Sequence, residues 1–154
     1  MKTGMNRAKQ AVGVALVAVL LAGIASSQTP PAPYQPKYHG DPARSESEAL
    51  ALGYMRTVLR AQHTYKTKNN DKYATTLASL VHIGSFTKRM TQTQQGDYTV
   101  SFHTRKNGKD GKDGFELTMT PNQIDATHRS FYANEDGVIH ADEQGAATEA
   151  SPKA

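Results

Sequence analysis

One change of hydrophobic period divides this chain and limits what it can fold into. Between Glu46 and about Lys68 apolar residues recur every third or fourth position, and from Asp97 onward they recur every second position. The first pattern belongs to an amphipathic helix and the second to half-buried strands. Leu52, Met55, Val58, Leu59, Gln62 and Tyr65 fall in one stripe at about 100° per residue, with Arg56, Arg60 and His63 away from it. Ser45 stands where an N-cap belongs, and Glu48 three residues later completes a capping-box pattern. Asn69, Asn70 and Asp71 end the helix by offering side-chain hydrogen bonds to the backbone.

Beyond the helix, YATTLASLVHI (73–83) predicts a second, short helix with Leu77, Leu80 and Val81 on one face. Residues 84–96 are polar and aperiodic, which predicts a loop. DYTVSFHTRK, FELTMT, RSFYA and VIHAD then predict strands, separated by the glycine-rich turn NGKDGKDG, a connection over 121–127 and the turn NEDG. Short links between consecutive strands favour an antiparallel meander. The expected fold is therefore α+β: a long amphipathic helix and a short helix packed on a four-stranded antiparallel sheet, each covering the other's apolar face.

The flanking segments carry different information. Lys2, Arg7 and Lys9 precede the uncharged run AVGVALVAVLLAGIA (11–25), followed by Ser26 and Ser27. A cationic start, an apolar stretch and small residues form the layout of a secretory signal peptide over 1–27. The apolar run has 15 residues, whereas a spanning helix needs about 20. Export to the periplasm or outside the cell is the expectation, with no membrane span after cleavage; an uncleaved N-terminal anchor is the alternative. Residues 28–44 hold five prolines, which excludes helix or central strand and predicts an extended linker, either a spacer or a polyproline-type docking segment. The domain then covers 45–145, and the small polar residues 146–154 predict a flexible tail.

Charge and cysteine content narrow the functional classes. The chain has 18 basic and 14 acidic side chains, and three of the basic ones lie in the leader. The remainder, 15 against 14, is nearly neutral, which weakens any inference of nucleic-acid binding from net charge. Thirteen basic and six acidic residues lie between Lys37 and Lys112, against two and eight from Asp113 onward. There is no cysteine, which excludes disulfides, thiolate metal sites and a cysteine nucleophile.

Two stretches carry a resemblance. EALALGYMRTVLRAQHTYKTKNNDKYATTLASLV (48–81) resembles the segment after the membrane-embedded half-helix of bacterial type IV pilin-like and pseudopilin-like proteins, through Met55-Arg56, Ala61-Gln62, Tyr65, Tyr73, Leu77 and Leu80. RSFYANEDGVIHADEQG (129–145) resembles the hairpin that closes many such heads. The resemblance implies a pilin-like head, with a helix across an antiparallel sheet, and a partner among envelope, secretion or pilus components. The usual prepilin leader is not matched: the fifth residue after Gly4 is Lys9 rather than glutamate, and Pro30, Pro31, Pro33 and Pro36 interrupt any continuous stem helix.

No sequence pattern names a reaction. The six histidines do not pair at helical spacing, HExxH is absent, and no GxSxG, P-loop or dinucleotide fingerprint occurs. NEDGVIHADE superficially resembles a calcium loop, but Tyr132 occupies its first ligand position, so a β-turn is expected. Catalytic residues, metal ligands and cofactors are accordingly expected to be none. The candidate binding residues are basic: Arg56 and Arg60 on the helix, Lys66, Lys68 and Lys72 at its end, Lys88 and Arg89 in the loop, and Arg105 and Lys106 at the first hairpin. The expected role is a non-enzymatic exported interaction module. Its partner would be reached through the helix's basic face, an exposed sheet edge or the acidic C-terminal half. If the basic groups converge, they could instead hold DNA or an acidic polysaccharide, with Tyr65 and Tyr73 available to stack; solvated lysines at loop ends are the plainer alternative. Oligomeric state is left open.

Overall fold

A computed structural model of the chain describes residues 33–106 and 113–154. The leader, the first part of the linker and the tip of the glycine-rich turn lie outside the described residues.

Helix α1 spans Glu46–Lys68. Ser45 caps it as its spacing predicts: the side-chain oxygen accepts the Glu48 N–H at 3.1 Å. At the other end Asn69 donates its side-chain amide to the Tyr65 carbonyl at 2.7 Å. Asn70 and Asp71 then adopt positive φ, which turns the chain back. Leu52, Met55, Val58 and Gln62 on the inner face are buried, as the 3.6-residue period requires.

The sheet corrects the expected architecture. Among the described residues it has five antiparallel strands in sequential order, not four. They are β1 (Gln94–Gln95), β2 (Tyr98–Arg105), β3 (Gly114–Pro121), β4 (Ser130–Asn134) and β5 (Ile139–Asp142). The extra strand comes from the segment 84–96, expected to be a loop. Gly96 takes φ +59°, folding two glutamines back onto Tyr98 and Thr99. A two-residue strand is too short to show alternation. The expected second helix is also corrected: residues 73–83 hold a single 3-10 turn, Leu77–Leu80. Ala74 is pinned to α1 by Gln62, which accepts its N–H at 2.9 Å and donates to its carbonyl at 3.1 Å. His82 and Gly84 then adopt positive φ, so the helix cannot continue. A second 3-10 turn follows at Lys88–Thr91.

The core lies between α1 and the inner face of the sheet. Tyr98, Val100, Phe115, Leu117, Met119, Phe131 and Ala133 join the helix residues in one buried cluster. On β3 the alternation is clear, with Phe115, Leu117 and Met119 buried and Glu116, Thr118 and Thr120 less so. On β4 all five residues are buried.

The cause is the segment expected to be a flexible tail. Ser130 Oγ donates to the Gly145 carbonyl and accepts the Ala147 N–H at 2.8 Å. Ala147 is buried, and Ser151 O is bonded to His140 Nδ1 at 2.6 Å. Residues 145–151 thus cover the outer side of β4. The chain then runs beside β5, where Ala141 N–H reaches Pro152 O at 2.8 Å and Ala154 N–H reaches Ile139 O at 2.9 Å. The linker is likewise engaged near its end: Tyr34 packs on the core and Ala43 is buried.

Candidate functional site

The nine basic residues singled out from the sequence do not form one surface. Arg56 faces Asp41 of the linker at 3.5 Å, and the Arg60 guanidinium donates to Thr57 Oγ1 at 3.4 Å. Lys66 lies 4.9 Å from the centre of the Tyr73 ring and donates to its hydroxyl at 3.3 Å. Tyr73 in turn meets Phe115 edge-on at 5.2 Å, and Phe115 stacks on Phe102 at 5.7 Å. The end of α1 and the β2–β3 hairpin therefore share one end of the domain. Lys68, Lys72 and the hairpin's Lys106 are exposed. Lys88 and Arg89 belong instead to the flank beside β1, where Gln95 donates to the Arg89 carbonyl at 3.4 Å.

Arg105 is already engaged by carboxylates. Its guanidinium lies 3.5 Å from Glu116, 2.7 Å from Glu135 and 3.5 Å from Glu149. The hydrogen bond it donates to Glu135 and the surrounding negative charge raise its pKa further. An arginine held by three acids is poorly placed to attract a phosphate or a uronate.

Polar side chains do meet at two places. Ser101 Oγ and His103 Nε2 are 2.7 Å apart on the outer face of β2. His103 is exposed, and among the described residues no carboxylate is hydrogen-bonded to its ring to orient it as a base. At the N-terminal end of α1, Asp125 accepts from Thr127 Oγ1 at 2.8 Å, Thr127 N at 2.7 Å and His128 Nδ1 at 3.0 Å. The Thr127 hydroxyl, the Thr127 backbone N–H and His128 hold the Asp125 carboxyl down at about 2. His128 Nε2 lies 4.0 Å from Asp97, which accepts from Ser47 Oγ. These groups satisfy one another. No group of three or more His, Cys, Asp or Glu that could hold a metal occurs among the described residues. The loop with a calcium-like pattern is a turn: Gly137 takes φ +78°, Gly137 N–H bonds Asn134 O at 3.1 Å, and Asp136 accepts the Val138 N–H at 2.8 Å.

One apolar concavity was not anticipated from the sequence. A groove of about 490 Å³ runs between α1 and the flank formed by Arg89, Met90 and Gln95–Asp97. Its helix side is Ser47, Ala49, Leu50, Gly53, Tyr54 and Thr57. Tyr54, itself buried, fixes the floor by donating its hydroxyl to the Met90 carbonyl at 2.8 Å. Burial pushes the Tyr54 pKa up, so it stays a neutral donor. Leu50 stands at the lip with 67% of its surface exposed. The groove exists because α1 is wider than its cover: the segment 84–96 reaches the helix through Met90 but leaves the adjoining turn of helix open. Two signals mark it in the sequence. Leu50 lies opposite the stripe of Leu52 and Met55, and Gly53 interrupts the helix midway.

A groove with apolar walls and a guanidinium and a carboxylate at its ends suits a protein side chain or helix face. Its polar lining includes Ser47 and Asp97, hydrogen-bonded to each other. No family model, curated protein or solved structure matches the chain.

Proposed function

We propose that this chain is an exported, non-enzymatic interaction module that holds a protein partner in the groove between α1 and the 89–97 flank. The observation that carries this reading is Leu50, exposed at the lip of an apolar groove whose floor is fixed by the Tyr54–Met90 hydrogen bond. Burying Leu50 on a partner contributes about 1.5–3 kcal/mol. The leader-like residues 1–27 support export. The likeness of 48–81 and 129–145 to pilin-like heads supports a partner of the envelope, secretion or pilus class. Binding of an anionic polymer receives less support, because Arg56 and Arg105 face carboxylates of their own chain.

The test is photo-crosslinking in the producing cell. A photoreactive residue replacing Leu50 is expected to yield a discrete protein adduct, and one replacing exposed Thr120 on the opposite face of the sheet is not. Absence of an adduct at position 50, or equal adducts at both, refutes the reading. Retention of the purified protein on DNA or an acidic glycan at about 50 mM salt would favour the polymer reading instead.

A further inference from the structure

The outward face of α1 is complementary to itself when reversed. Glu46, Leu50, Gly53, Thr57 and Arg60 fall in one row along the helix, on the side away from the core residues Leu52, Met55 and Gln62. Gly53 is the midpoint, with Glu46 seven residues before it and Arg60 seven after. At a rise of about 1.5 Å per residue, the two charges stand about 10 Å to either side of the glycine. A helix laid antiparallel over this one, with its own Gly53 on the same axis, presents Arg60 to Glu46 and Glu46 to Arg60.

Gly53 itself has no use within a single copy. It takes no positive φ, and a Cβ built on it meets nothing within 4 Å. Alanine would fit, and glycine is the poorer helix former. What glycine permits is the close approach of another backbone. Around it lie the exposed Leu50 and a groove able to receive a second leucine.

We infer that the occupant of this face is a second copy of the chain, in a two-fold antiparallel pair of α1 helices centred on Gly53. In that pair Leu50 of each copy enters the groove of the other between Gly53 and Thr57, and Glu46 of each faces Arg60 of the other. The inference rests on the groove being a protein-binding surface and names its partner. A single helix-pair contact is small, so the pair is expected to be weak, with a dissociation constant on the order of tens of micromolar.

Sedimentation of the purified, processed protein from about 10 μM to about 1 mM tests it. The expected result is a concentration-dependent dimer. Gly53→Ala should leave the fold intact by circular dichroism, raise Tm at low concentration and weaken association about tenfold. Glu46→Arg and Arg60→Glu should each weaken it by a similar factor, and the double exchange should restore it. A chain that stays monomeric throughout, a dimer indifferent to Gly53→Ala, or charge reversals without rescue overturns the inference. The two readings separate at position 50: a heterologous adduct from a monomeric chain retains the groove as a binding surface and removes the self-pair, whereas no adduct and no dimer removes both.

Discussion

Glu48 and Arg129 form the internal pair whose loss should be felt most. Glu48 is wholly buried and Arg129 is 7% exposed. The carboxylate accepts four hydrogen bonds: Arg129 N at 2.9 Å and Nε at 3.0 Å on one oxygen, Arg129 Nη2 at 2.8 Å and Arg44 N at 2.8 Å on the other. Arg129 Nη2 also donates to Pro42 O at 2.8 Å. One side chain thus ties the first turn of α1 to the chain before it and to the start of β4. Replacing Glu48 by Gln leaves one acceptor oxygen. Its new amide group must face two donors, whichever way it is turned. Two of the four bonds are lost, and the buried guanidinium loses its counter-charge. Removing one member of a buried pair costs about 3–5 kcal/mol, a large share of the roughly 5–15 kcal/mol that holds a domain together. Urea unfolding followed by circular dichroism should show Glu48→Gln losing that amount at unchanged m. Replacing both residues by methionine removes both charges and should cost clearly less than the two single changes summed, although Pro42 O, Arg44 N and the backbone N–H of position 129 remain without their partners. A cost below about 1 kcal/mol for Glu48→Gln, or strict additivity in the double variant, would refute the reasoning.

Three further expectations follow from described contacts. Burial alone would raise the Glu48 pKa, but the hydrogen bonds from the Arg129 side chain, Arg129 N and Arg44 N outweigh it and hold the group below the usual carboxylate range. The stability this gives is complete above the ordinary carboxylate pKa and is lost as pH falls through the lower folded value. The gap between wild type and Glu48→Gln should therefore narrow in acid, and a gap constant from pH 6 to pH 3 would contradict the assignment. Gln62→Leu should cost about 2 kcal/mol and deprotect the Ala74 amide in hydrogen exchange, because it strands a buried N–H and a buried carbonyl; continued protection of Ala74 would count against this. Gly114→Ala drives a Cβ into the Glu135 carboxylate, and Glu135 cannot retreat without leaving Arg105. A loss of about 1–2 kcal/mol is expected, shrinking when Glu135 is first replaced by Ala; an equal loss in both backgrounds would show the contact to be unimportant.

Local signals in the sequence were readable and distant ones were not. The stripe of α1 and the Ser45 cap involve neighbours within a turn, so spacing alone reveals them. Glu48 shows the boundary. Its capping-box position is visible, yet its carboxylate bonds Arg44 N rather than Ser45 N and spends three bonds on Arg129, a partner 81 positions away. The second helix failed because Leu77, Leu80 and Val81 have helical spacing, while the pinning of Ala74 by Gln62 is tertiary. β1 is shorter than one period of alternation. Residues 145–154 contribute backbone groups and small hydroxyls to the outer face, and composition reads such residues as loose chain. Of the candidate site, the exposed Leu50 and the mid-helix Gly53 were legible as departures from the helix pattern. The engagement of Arg105 by Glu116, Glu135 and Glu149 required the fold.

The bonds that Pro152 and Ala154 make along β5 limit how these molecules could polymerise. A strand edge invites another strand, and a sheet open on both sides can add neighbours without end, as fibres do. Here one side is already occupied by the chain itself. Pairing through the β1–β2 side consumes the open edge of each molecule, so it ends at two. This arrangement tolerates an exposed edge at high local concentration, because recruitment through it terminates instead of propagating.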